Sequence, residues 1–101
     1  MNKQRREELY TLFNQLNKIE DKKDLKDYID TLEAIKADEE EYYDNAPGNL
    51  QYSLRYEMSQ EAIDSMDDAL DYLNDAQVCE DMDEFFDYIE DAKDCILGAT
   101  I

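Results

Sequence analysis

The chain has no histidine, no tryptophan, one proline, two glycines and two cysteines in 101 residues. Each shortage removes a class of fold or function. Without histidine there is no imidazole general base, and no nucleophile–histidine pair can form. A di-iron helical bundle is excluded for the same reason, because its motif is Glu-x-x-His. With Cys79 and Cys95 as the only thiols, a Cys/His zinc site cannot be completed. Two cysteines are also too few for a small secreted disulfide scaffold. Both are read as small part-buried apolar residues, the alternative being one disulfide. No glycine-rich phosphate loop and no serine elbow occurs. The chain is therefore expected not to be an enzyme and to need no cofactor.

Long apolar runs are missing too. No segment approaches the ~20 apolar residues of a membrane span. The opening MNKQRREELY has no apolar stretch, so no signal peptide is expected, and a bacterial cytoplasm is the expected compartment.

Basic residues are the last shortage. Ten Lys and Arg face 28 Asp and Glu, a net charge of −18. Residues 1–36 hold eight basic and eight acidic residues and are neutral. Residues 37–101 hold twenty acidic residues against Arg55 and Lys93, so all eighteen net charges lie there. Such a surface repels nucleic acid and acidic membranes, attracts basic protein surfaces and speeds encounter with them.

The residues that are abundant favour helix. An all-α fold is expected: one domain over 1–101, an antiparallel helical hairpin with short flanking helices, forming a three- to four-helix bundle. An N-terminal helix over 1–20 carries Leu9, Leu12, Phe13, Leu16 and Ile19 at helical spacing. The first hairpin helix, 22–43, carries Leu25, Tyr28, Ile29, Leu32 and Ile35. Asp21 and Asp24 resemble a capping box at its start, with a kink as the alternative to a full break. Residues 44–49 form the one clear turn, built on Pro47-Gly48. The second hairpin helix, 53–76, is expected to be capped by Ser53, with Ala62, Ile63, Met66, Ala69, Leu70 and Leu73 inward. A C-terminal helix over 81–97 follows Asp81 and Glu84 at capping-box spacing. Met82, Phe85, Phe86, Ile89, Ala92 and Ile96 form its inward stripe, and Gly98 its stop.

The carboxylates are as periodic as the core. Glu57, Glu61, Asp64, Asp68, Asp71 and Asp75 advance by alternating steps of four and three, opposite the apolar stripe. At a 1.5 Å rise the row spans roughly 27 Å. Asp83, Asp87, Glu90 and Asp94 repeat the device on the last helix. Like charges at these spacings repel by a few tenths of a kcal/mol per pair. One cause for retaining them is mimicry of nucleic acid, which presents about one charge per 1.7 Å of duplex axis. The bland alternative is a solvated face. Asp38, Glu39, Glu40 and Glu41 would extend the field. Tyr42, Tyr43, Tyr52 and Tyr56 flank the turn and read either as binding anchors or as half-buried phenols with wet hydroxyls. No D-x-[DN]-x-[DN]-G calcium loop occurs, so no metal site is expected.

At the turn, Asp44, Asn45, Pro47, Asn49, Leu50, Gln51, Ser53, Arg55, Tyr56 and Glu57 form a DN-x-P-x-NLQ-x-S-x-RYE pattern. This pattern resembles a motif of small acidic helical hypothetical proteins of phages and prophages of Gram-positive bacteria. It covers about a third of the chain, and Gly48 stands where those proteins carry Glu. The resemblance implies a mobile-element origin and a helical hairpin, and it implies no reaction. From the residues alone, the motif reads as a rigid corner: Asp44 and Asn45 end one helix, Pro47 stiffens the turn, and Arg55 pairs with a nearby carboxylate. The expectation is a non-catalytic acidic binding protein. It would occupy a basic surface of a nuclease, repressor or guide-RNA effector of the host. The alternative is a self-associating structural or adaptor protein, a homodimer through its end helices.

Overall fold

The computed structural model describes residues 1–45 and 54–100, with backbone alone for Leu54 and Arg55. The fold is all-α, with helices α1 (Lys3–Asn17), α2 (Leu25–Asp44), α3 (Leu54–Val78) and α4 (Met82–Gly98). They form an elongated bundle of 48 × 19 × 17 Å. Neighbours run antiparallel. Arg5 at the start of α1 reaches Glu39 near the end of α2. Lys22 before α2 donates to the Cys79 carbonyl after α3. The Tyr10 hydroxyl on α1 lies 3.5 Å from Thr100 Oγ1 just beyond α4. Helix α1 packs on both α2 and α4, so the flanking helices fold back and close a four-helix ring. No helix among the described residues is long and apolar enough to cross a membrane.

The apolar stripes cause this arrangement. Leu9, Leu12 and Leu16 of α1, Leu25, Ile29, Leu32 and Ile35 of α2, and Met66, Leu73, Phe85, Ile89 and Ile96 of α3 and α4 are buried in one core. Ala62, Ala69 and Ala76 on α3 and Ala92 on α4 are buried as well. Small residues at that seam let α3 and α4 approach closely, and theirs is the most extensive helix contact of the bundle.

Helix ends depart from expectation in instructive ways. The N-cap of α1 is Asn2, whose Oδ1 accepts from Arg5 N at 2.8 Å. Asp81 caps α4 by accepting from Asp83 N at 2.7 Å, two residues on, in place of the expected capping box with Glu84. Asp21 and Asp24 do not form a capping box. Asp21 Oδ1 accepts from Lys23 N two residues on, and Asp24 makes no side-chain cap bond, so α2 begins at Leu25. The chain breaks fully after α1 rather than kinking. Gly98 is the last residue of α4 and not a left-handed stop: Ala99 follows in right-handed helical geometry, and no glycine among the described residues has positive φ. The 46–53 part of the turn, with Tyr52 and the Ser53 cap, lies outside the described residues, as does the Arg55 side chain.

Met82 and Phe86 were expected inward and are instead 43 % and 42 % exposed. Phe85 and Phe86 are adjacent, and adjacent residues on a helix point about 100° apart. Phe85 takes the core position at 0 % exposure, with the Phe86 ring edge-on at 5.1 Å. Cys79 and Cys95 are unpaired and partly buried, as the apolar reading of them requires.

Candidate functional site

The carboxylate row of α3 lies on solvent. Glu57, Glu61, Asp64, Asp68, Asp71 and Asp75 are all exposed, opposite the buried Ala62, Met66, Ala69 and Leu73. The α4 row, Asp83, Asp87, Glu90 and Asp94, is exposed as well. Because α3 and α4 are packed neighbours, the two rows belong to one continuous side of the bundle. Glu84 and Asp91, which fall outside the two rows, are exposed and add to its charge.

The seam between these helices shows how close the acids come. Burial pushes the Cys95 thiol above its ordinary value, and Asp68 on α3 with Asp91 and Asp94 on α4 push it the same way. Tyr88 repeats the pattern. Its phenol is raised by burial first, then by Asp75 of α3 and Glu84 of α4. Asp68, Asp71, Tyr72 and Asp75 line a shallow concavity of about 340 Å³ beside this seam. Among the described residues, no group of three or more Cys, Asp or Glu is placed to hold a metal ion.

Three acids of the expected field, Glu39, Glu90 and Glu40, have partners within the bundle. Glu39 is fully buried and contributes nothing to the surface. Its Oε2 accepts from Arg5 Nε at 2.6 Å and its Oε1 from Ser59 Oγ at 2.7 Å, with the Met1 nitrogen 3.5 Å away. A buried carboxylate needs such partners, because an unpaired charge in the interior is strongly destabilising. The spacing carried the signal: Glu39 follows Ile35 by four and Leu32 by seven, so it continues the buried stripe. Glu90 stays exposed but accepts from Lys93 Nζ at 2.7 Å. Lys93 is itself buried along its stem, with its ammonium 5.5 Å from the Phe13 ring centre.

Of the other α2 acids, Asp38 and Glu41 are exposed, and Glu40 pairs with Lys36 at 3.2 Å. Lys36 also bonds Asp67 across the α2–α3 contact, and that bond is the main reason its ammonium is held above its ordinary value. The turn tyrosines split. Tyr42 is partly exposed, with the Arg5 guanidinium 5.7 Å from its ring centre. Tyr43 and Tyr56 stack at 3.9 Å between centroids, 16° from parallel. A hydrogen bond with Tyr43 pushes the Tyr56 phenol up to about 12, helped by burial and by Asp44. The Tyr43–Tyr56 stack ties the end of α2 to the start of α3, so these two rings brace the corner.

No family model, curated protein or solved structure matches the chain.

Proposed function

We propose that the chain is a non-catalytic binding protein whose α3–α4 face imitates the charge of nucleic acid and occupies a basic surface of a nuclease or another DNA- or RNA-binding protein. The observation that carries this reading is the pair of outward carboxylate rows on two adjacent helices. The helices fix the backbone beneath those carboxylates, so only their side-chain freedom remains to be lost on binding. A groove built to track a phosphate backbone would meet extended rows of negative charge here, sparser than those of a duplex. In its specific form, drawn from the phage-like turn motif, the protein is a phage-encoded inhibitor of a host defence system in the bacterial cytoplasm, an anti-CRISPR protein among the candidates. Guide-RNA effectors offer the positively charged channel that such a surface would fill.

The test is capture and competition. The immobilised protein, incubated with host lysate at low salt, should retain nucleic-acid-binding proteins. Added duplex DNA should release them, and so should a rise in salt from about 0.05 to about 0.2 M. Retention of no such protein at low salt would sink the proposal, as would retention indifferent to both DNA and salt.

A further inference from the structure

The α4 acid row borders an apolar strip that the bundle leaves uncovered. Met82, Phe86 and Leu97 lie on one side of α4 at 43 %, 42 % and 40 % exposure. Across the α1–α4 contact, Tyr10 of α1 continues the strip at 47 % exposure, its hydroxyl close to Thr100. Between them the buried stem of Lys93 and the half-buried Phe13 form the floor. Single exposed apolar residues are ordinary, whereas several on one helix side, beside a row of charge, mark an interaction surface even with the Lys93–Glu90 pair between Phe86 and Leu97. From Met82 to Leu97 the strip runs roughly 22 Å, the length of about four helical turns. Its α4 border is Asp83, Asp87, Glu90 and Asp94, all exposed.

We infer that the α1–α4 seam seats a cationic amphipathic helix of the partner protein, its apolar face on Phe86, Leu97, Met82 and Tyr10 and its Lys and Arg flank on the α4 carboxylates. The inference rests on the reading of this chain as an acidic binder of basic surfaces and specifies what the partner must present. Helix-in-groove recognition needs apolar anchors at helical spacing, and the strip provides receptors at that spacing. Charge selects the occupant. A second copy of this chain carries the same net −18. Its α1, with three basic residues against two acidic ones, is the one of the four described helices without excess acid. The apolar stripe of that α1, Leu9, Leu12 and Leu16, is already buried in its own core. A basic helix from another protein meets neither obstacle.

The probe is a synthetic Leu/Lys peptide of about 15 residues, about four helical turns, with its leucines on one face. The control peptide has the same composition with leucines scattered around the helix. Binding to the full chain is measured by calorimetry at about 0.15 M salt and again at about 0.05 M salt. The amphipathic peptide should bind at least about tenfold tighter than the control, given the apolar area it alone can bury. The double variant Phe86→Ser/Leu97→Ser should bind the two peptides alike, while Asp64→Asn/Asp71→Asn on α3 should keep the preference. Both serine substitutions are on the surface, and an unchanged circular dichroism melt confirms the fold. Equal binding of the two peptides by the wild type overturns the inference and leaves the acidic-binder reading standing. Failure of both peptides to bind at low salt overturns that reading as well. A wild-type dimer that the serine variant dissociates would assign the strip to a second copy and overturn the inference.

Discussion

The two halves of the bundle use charge in opposite ways. In α1 and α2, and in the link between them, cations reach across the molecule. Arg5 binds Glu39, Lys36 binds Asp67, and Lys22 binds the Cys79 carbonyl. On α3 and α4 the described carboxylates mostly face water, and Lys93 is the one cation described there, sunk beneath Phe13 and Glu90. The first half therefore supplies the internal counter-ions of the fold. The second is held by apolar packing and carries charge that the fold does not use. Charge that opposes folding and serves no internal contact is what the proposed binding function would require of this face.

The largest effects should come from the packing of the second half. Phe85→Ala, at a fully buried position, should lower unfolding stability by about 3–5 kcal/mol in urea titration. A loss under 1 kcal/mol would mean that the α3–α4 seam is not the main support. The polar clamp of the first half comes next. Glu39→Ala strands the Arg5 guanidinium and the buried Ser59 hydroxyl and should cost about 3 kcal/mol or more. Glu39→Gln keeps an oxygen for Arg5 and should cost clearly less. Equal losses in the two variants would deny the clamp its role.

Smaller effects separate the halves more finely. Gly98→Ala should stabilise by up to about 1 kcal/mol, because its φ is not positive and the added methyl would lie 3.6 Å from Ser65 Oγ, an ordinary contact. A destabilised variant would restore the left-handed stop. The alkaline limb tests the seam chemistry. Cys95 and Tyr88 hold their protons more tightly folded than unfolded. Above the ordinary thiol and phenol values, the unfolded chain releases those protons first, so stability falls as pH rises. The raised Lys36 acts in the same direction: its ion pair contributes fully below the ordinary ammonium value of 10.5 and is lost as pH passes the folded value. Urea midpoints at rising alkaline pH should therefore decline, and Cys95→Ala should flatten the early part of that decline.

Much of this fold is legible in the spacing of its residues. The four helices begin and end within a few residues of where the apolar periodicity places them, because each stripe is long and mostly unbroken. The outward rows are equally readable, since a carboxylate opposite a full apolar stripe has nowhere to point but water. Three positions need their neighbours to be placed. Read from the sequence, Glu39 falls in the outward field and Phe86 in the inward stripe, and Lys93 is given no place. A carboxylate continuing the α2 stripe is buried once Arg5 arrives from 34 positions away. A lysine stem fills the gap beside Phe13. A phenylalanine is exposed because the one before it already occupies the core. The register of a single helix marks Glu39 as continuing the stripe and turns Phe86 away from Phe85, but the partners Arg5 and Phe13 lie far off in sequence and no single-helix pattern supplies them.

The central claim is that the α3 carboxylates are kept for binding at the expense of stability. Its most direct test is one variant measured twice: Asp64→Asn/Asp68→Asn/Asp71→Asn, by urea unfolding at low salt and by affinity for a captured basic partner. Relief of like-charge neighbours should raise stability by a few tenths of a kcal/mol per pair, while affinity falls and its salt dependence flattens. A variant that loses stability, or that binds the partner with unchanged affinity and salt dependence, would contradict the account.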